Sequence, residues 1–389
     1  MAARTVRTAW TGTLAAVAVA STALISPAVA GPATEPGGSA SAHRAAQRAL
    51  DAAVEEGVPG ALAGVSDRTG VWNGDAGVAD RTTGRARLAR DRFRVGSVTK
   101  TFVATVLLQL EAEGTVDLDD TVETTLPGLV RGNGHDGRGI TLRQLLNHTS
   151  GIYNYTGDDE FVRKVFGDGF LEHRYDTWKP RDLVGLAMRH RPEFQPGTEW
   201  SYSNTNYVLA GLVIEKVTGR SYATEIDRRI LRPLRLRATG VPGTDVRMPR
   251  PSGRAYSTLS PDPAAPVHDV TELDPTVAGA AGAMISSTAD LNRFYSALLR
   301  GELLPKRQLD EMRTTVPLGD DAPPGVGYGL GIESRVLPCG TEVWGHGGGI
   351  HGSSSGAATT ADGSHSIAVN LNADWTGDPD KVVEAEFCG

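Results

Sequence analysis

The chain is 389 residues long and 40% hydrophobic, with 46 acidic against 39 basic side chains and a net charge of −7. That length supports a large core and two intimately packed subdomains. Mild acidity and the absence of a basic run argue against a nucleic-acid partner.

Arg4 and Arg7 precede an apolar stretch from Leu14 to Ile25, and Ala28-Val29-Ala30 fits a signal-peptidase site. Residues 1–30 are therefore expected to be a signal peptide, followed by a flexible leader over 31–41. No other stretch predicts a bilayer span, which places the mature protein outside the cell. In that oxidising compartment the two cysteines, Cys339 and Cys388, are expected to form one disulfide tying the last helix to the sheet.

The first element is a helix over 43–56, with Ala46, Leu50, Ala53 and Val54 on its apolar side. Residues 60–66 and 70–78 predict a hairpin around the turn Asp67-Arg68-Thr69-Gly70. A turn ending in Gly96 then delivers Ser97 to a helix running to Gly114, in which Val98, Phe102, Leu107 and Leu110 recur at helical spacing. Thr141–Leu146 is a short amphipathic helix that stops before the turn His148-Thr149-Ser150-Gly151. His148 has no metal-like spacing to another ligand and reads as a hydrogen-bonded structural histidine. Further helices are expected over 181–188, 208–217 and 288–300. The last begins at the capping-box spacing Ser287–Asp290, which leaves Ser286 and Ser287 with no chemistry.

The period then changes. Residues 328–334, 341–344, 354–360 and 365–371 predict strands, with a tight turn at 361–364 and a closing helix over 379–387. The economical assembly is an α+β fold in which one antiparallel sheet is built from both chain ends and flanked by terminal helices. It takes in about 42–100 and 301–389. A mainly helical subdomain, about 101–300, is inserted between them and leaves a cleft at the junction.

Three stretches carry chemistry. Ser97 and Lys100 stand three apart and share a face of the first turn of their helix, placing a hydroxyl, an amine and the positive helix end together. The amine takes the hydroxyl proton if burial lowers its pKa. Taken alone, the pair better fits an N-capping serine and a surface lysine one turn on. Tyr202-x-Asn204 lies in a polar loop ahead of a helix. A tyrosine beside a lysine ammonium has its phenol pKa lowered and shuttles protons, and Asn204 offers both an acceptor and a donor to Lys100 and a substrate carbonyl. The third stretch, His346-Gly347-Gly348-Gly349, adjoins a strand, where glycines let a ligand backbone pair with the edge. His346 is expected on the tyrosine side of the cleft.

Together, in this order and on these elements, the three stretches resemble those of the penicillin-recognising serine hydrolases: class C β-lactamases, D-Ala-D-Ala carboxypeptidases, D-aminopeptidases and related esterases. The likeness is strongest to the secreted Streptomyces carboxypeptidase type and runs from about residue 45 to the terminus. It includes Phe93–Lys100, Tyr202–Asn206, Tyr328-Gly329-Leu330-Gly331 and Phe387-Cys388-Gly389. The resemblance implies a β-lactamase-like catalytic domain over 42–389 with Ser97 as acylated nucleophile and Lys100 as base or relay. Tyr202 would be the proton carrier to the leaving group, and Asn204 would position Lys100 and the acyl amide. The oxyanion hole would be formed by the N–H groups of Ser97 and Gly349.

Departures from that pattern point to the substrate. Where the carboxypeptidases carry His-Thr-Gly-Thr, this chain has His346-Gly347-Gly348-Gly349, so both hydroxyls that grip a C-terminal carboxylate are absent. A carboxylate-binding arginine aligns with Glu333, and a pocket tryptophan with Val277. An acid there repels a carboxylate and attracts an ammonium. The expectation is a D-aminopeptidase or D-stereospecific amidohydrolase acting on D-amino-acid amides, esters or peptides. A D-Ala-D-Ala carboxypeptidase, a β-lactamase-like esterase and a non-catalytic binding module are the alternatives. The substrate would be a small peptide or amino-acid derivative, with peptidoglycan fragments as a source and β-lactams as inhibitors. Nothing demands a metal or cofactor, and a monomer is expected.

Overall fold

The computed structural model describes residues 43–389 except Asp168, Pro261, Pro263 and 320–322. The expected signal peptide and leader lie outside the described residues. Helix α1 (Arg44–Glu55) leads into the hairpin β1 (Gly60–Asp67) and β2 (Gly70–Asp80), with β3 (Arg85–Ala86) beyond. The Asp67 carboxylate accepts the N–H groups of Thr69 and Gly70 and closes the hairpin where the turn residues predict it. The main helices that follow are α2 (Thr99–Ala112), α3 (Pro180–Met188), α4 (Asn204–Thr218) and α5 (Thr288–Leu299). The chain ends with β4 (Val326–Tyr328), β5 (Glu333–Val336), β6 (Glu342–Ile350), β7 (Ser353–Thr360), β8 (Ser366–Leu371) and α6 (Pro379–Cys388).

The strands form one eight-stranded sheet in the order β4-β5-β6-β7-β8-β1-β2-β3, and its pairings are antiparallel. Strand β1 joins the C-terminal strands through Ala61↔Leu371 and Val65↔Ile367, so both chain ends share the sheet. Alternation along β1 sends Ala61, Ala63 and Val65 toward α1 and α6, where they pack with Leu50, Val382 and Val383. Leu62 faces the other way, into the larger core that holds α2, α4 and α5. Helix α2 is buried at every residue from Thr99 to Leu108, as a helix wrapped on all sides must be. Cys339 and Cys388 are disulfide-bonded, with their Cα atoms 5.5 Å apart, and tie α6 to the β5–β6 turn.

Three element boundaries differ from the sequence reading. The single strand expected over 328–334 is two strands folded back at Gly329–Ile332. Gly331 has φ +72, and a Cβ there would stand 2.6 Å from both Ala104 Cβ and Tyr207 Oη. Tyr328, Leu330 and Ile332 alternate straight through this reversal, so periodicity hides it. Strand β6 runs to Ile350 instead of ending at Trp344, because glycines carry no side chain for alternation to register. Helix α4 starts at Asn204, so Asn204 sits in its first turn and not in a loop ahead of it. The capping spacing at α5 holds only in one direction. Ser287 Oγ accepts from the Asp290 N–H, while the Asp290 carboxylate turns away to Ala238 and Thr239. This helix, counted with the helical portion from sequence, packs on β1, β7 and β8.

Candidate active site

Ser97 lies in a single 3-10 turn, Gly96–Val98, that runs into α2. This turn packs against β6 backbone to backbone. Gly96 has φ +52, and a Cβ on it would come within 2.9 Å of the Gly349 main chain. A Cβ on Gly348 would fall on the Val95 carbonyl. Glycine at both positions is therefore what lets the Ser97 and Gly349 main chains meet. Strand β5 pairs with β6 only from Glu342 to Gly345, which leaves the edge at 346–350 open beside Ser97.

Lys100 is fully buried, one turn into the helix. Its Nζ lies 2.9 Å from Ser97 Oγ, 2.7 Å from Asn204 Oδ1 and 2.8 Å from the Ala281 carbonyl. Burial drives its pKa well below the ordinary lysine value, and the nearby Glu333 charge opposes that only in part. The Tyr202 hydroxyl is hydrogen-bonded to Ser97, yet burial holds its pKa above the usual phenol range. The expected lowering of the phenol is thus reversed: desolvation outweighs a lysine that is itself pushed toward neutrality. Lys100 Nζ stands 4.8 Å from the centre of the Tyr202 ring, and Asn154 Oδ1 accepts the Asn204 N–H.

His346 is buried and does not hydrogen-bond Tyr202; their ring centres are 6.4 Å apart. A chain of hydrogen bonds fixes its tautomer. The Gly347 carbonyl can only accept, so His346 Nδ1–H donates to it at 2.5 Å. His346 Nε2 then accepts from the Tyr328 hydroxyl at 2.9 Å, which in turn accepts from His148 Nε2–H at 3.2 Å. His148 Nδ1 is left to accept from the Ser203 N–H and from Asn206 Nδ2. Burial first, and then Lys100, pushes His346 down to about 3 and lowers His148 as well. Both rings are neutral near pH 7. The His148 ring lies 4.3 Å from that of Tyr202, so the histidine read as structural forms the wall behind the tyrosine. Tyr328, which no local pattern marks as functional, links the two histidines.

Glu333 opens β5 opposite Gly345, on the same strand face as Gly347. Its carboxylate accepts the Gly347 N–H and is pushed up to about 7, mainly by burial, with Arg335 and Lys100 opposing. It stands 3.8 Å from His346 Nδ1 and keeps 29% of its side chain accessible. A Cβ on Gly347 or Gly349 would meet nothing within 4 Å. Val277 is half-buried in the turn Pro275–Val277, and its carbonyl accepts from the Tyr155 hydroxyl. Among the described residues no group of three metal-ligating side chains gathers, and no helix is long and apolar enough to cross a membrane.

A serine beside a buried lysine, at the junction of a terminal-helix-flanked sheet and a helical subdomain, defines a serine hydrolase of the β-lactamase/transpeptidase fold. Residues 44–386 match the Beta-lactamase family, and the chain belongs to it. It is closely related to a D-stereospecific amidohydrolase from Streptomyces sp., with 63% identity, a TM-score of 0.85, and coverage of 89% of this chain and 99% of that one. D-amino acid amidase from Ochrobactrum anthropi SV3 is similar at 28% identity and a TM-score of 0.78, covering 89% and 97%. Penicillin-binding protein 4 of Amycolatopsis lactamdurans is 31% identical over 62% of this chain and 59% of its own. The chain spans about 60% of the length of the curated relatives it matches.

Proposed function

We propose that this protein is an exported serine hydrolase that cleaves D-amino-acid amides, esters or short peptides bearing a free amino group, through an acyl-enzyme on Ser97. The observation that carries the substrate class is Glu333 at the open β6 edge, with no side chain at Gly347 or Gly349 to hold a carboxylate. Arg335, on the same strand face, is tied to Asp380 and is not free to replace the missing grip. The Streptomyces and Ochrobactrum relatives, an amidohydrolase and an amidase for D-configured substrates by name, support the same class. Peptidoglycan fragments with a free D-residue are a natural source of such substrates, and β-lactams are candidate acylating inhibitors of the same serine. The protein acts as a monomer in this reading.

In the mechanism that fits this site, neutral Lys100 removes the Ser97 hydroxyl proton as Oγ bonds to the substrate carbonyl carbon. The resulting oxyanion is held by the N–H groups of Ser97 and Gly349. On collapse the C–N bond breaks, the leaving nitrogen takes the Tyr202 phenol proton, and Lys100 returns its proton to the phenolate. Water then attacks the acyl carbon and loses a proton to Lys100; the C–Oγ bond breaks, and Lys100 returns that proton to Ser97 Oγ as the acid leaves. Asn204 holds Lys100 in register, Val277 shapes the side-chain pocket, and His346 supports the wall through Tyr328.

Comparing kcat/KM on D-alanine p-nitroanilide and on an N-acylated peptide ending in D-Ala-D-Ala tests this reading. A preference for the first, with covalent fluorophosphonate labelling lost in Ser97→Ala, is expected. Preference for the second would return the protein to the carboxypeptidases.

A further inference from the structure

Away from Ser97, folding gathers arginines from two sequence stretches, 85–92 and 237–254, around an open cavity of about 1190 Å³. Its wall holds seven arginines against three acids, although the whole chain carries a charge of −7. Arg85, Arg247 and Arg254 are paired with Asp91, Asp245 and Asp269. Arg90, Arg237 and Arg250 meet no carboxylate among the described residues, and Arg92 reaches only the Arg237 carbonyl, at 3.4 Å.

A recess of about 20 Å³ shares the wall at Arg92, Gly253 and Arg254 and is lined by Arg87 and Arg94. Both are almost wholly buried, at 2% and 3% exposure. Arg94 Nη2 donates to the carbonyls of Val246 and Leu273, but its Nε and Nη1 have no hydrogen-bond partner; Arg87, by contrast, is ion-paired through Nε with buried Asp91 at 3.8 Å. Arg94 has no carboxylate within salt-bridge reach among the described residues. Burial lowers both guanidinium pKa values to about 10, so both stay charged at neutral pH.

We propose that this cleft is a second ligand site that binds the phosphate group of an anionic ligand. Arg92, Arg237 and Arg250 form the rim, and the Arg94 recess is a buried positive floor. Guanidinium forks match phosphate oxygens in pairs, and a concave wall with a net excess of positive charge focuses the field. The recess holds about one water or one ligand oxygen. A carboxylate, with two oxygens and one charge, would leave most of these groups unanswered. Neither Ser97 nor any residue of its hydrogen-bonded surroundings lines the cavity, so the site stands independently of the proposed hydrolase activity.

Isothermal titration of the full chain at constant ionic strength, with chloride as the balancing salt, tests the proposal. The probes are inorganic phosphate, pyrophosphate and a poly(glycerol phosphate) chain. Saturable pyrophosphate binding is expected, weakened roughly tenfold or more in the Arg237→Gln/Arg250→Gln double variant. Turnover of D-alanine p-nitroanilide should be unchanged in that variant. Tighter binding of the polymer would identify a phosphodiester ligand, and tighter binding of pyrophosphate a free phosphate. Heat that follows ionic strength alone, or an unchanged Kd in the double variant, would overturn the proposal.

Discussion

Lys100 touches three oxygens, and a neutral amine, with two N–H groups and one lone pair, answers all of them. Asn204 Oδ1 and the Ala281 carbonyl can only accept and take the two N–H groups, so the lone pair faces Ser97 Oγ. Burial favours that same neutral form. Behind Tyr202, the His148–Tyr328–His346 chain acts as a rigid backing because every ring nitrogen in it is hydrogen-bonded. Tyr328→Phe would leave His148 Nε2–H and His346 Nε2 buried and unpaired. A loss of about 1–3 kcal/mol in urea unfolding is expected, with a fall in kcat smaller than that of Ser97→Ala. Unchanged stability would show that the chain supports nothing. At this scale residue type and order single out Ser97, Lys100, Tyr202 and Asn204, which the fold brings together. Tyr328 was invisible as a functional group, because its partners at 148 and 346 meet it only after folding.

The elements that build the cleft are those whose local signals were strongest: the apolar helix after Ser97, the β1–β2 hairpin and the terminal helices. Where reading along the chain failed, side chains were silent or misleading. The glycines of β6 concealed a strand that is central to the site, and alternating apolar residues concealed the β4–β5 reversal. The disulfide belongs to this scale too. It anchors the end of α6 across a span of 49 residues, and α6 covers the sheet face with Val382 and Val383. Reduction, or Cys388→Ser, is expected to lower stability by about 2–4 kcal/mol. Calorimetry with and without reductant would read this as a lower Tm. Activity should persist below the new transition, because the Ser97 turn packs mainly on β6, β7 and α2. Loss of activity at temperatures where the fold survives would contradict that separation.

Across the whole molecule, Glu333 is where sequence comparison and tertiary structure meet. The family resemblance implies an acid where the carboxypeptidases would hold a cation; only the fold shows it beside Gly347 and within electrostatic reach of Lys100, groups from three different elements. Holding it there has a cost. Its pKa is raised from 4.5 to about 7, so the folded state binds a proton the unfolded chain has released. Its contribution to stability is therefore full below pH 4.5 and is lost as pH rises through 7. Glu333→Gln is expected to match the wild type near pH 4 and to be more stable above pH 7, by on the order of 2–3 kcal/mol.

The most direct test of the account uses the same variant. It is the ratio of kcat/KM for D-alanine p-nitroanilide to that for its N-acetyl derivative, measured near pH 8 in the wild type and in Glu333→Gln. The account predicts a ratio favouring the free amine in the wild type that falls roughly tenfold or more in the variant, chiefly through KM. A ratio unchanged by the substitution would mean that Glu333 does not read the ammonium, and the proposed substrate class would lose its physical basis.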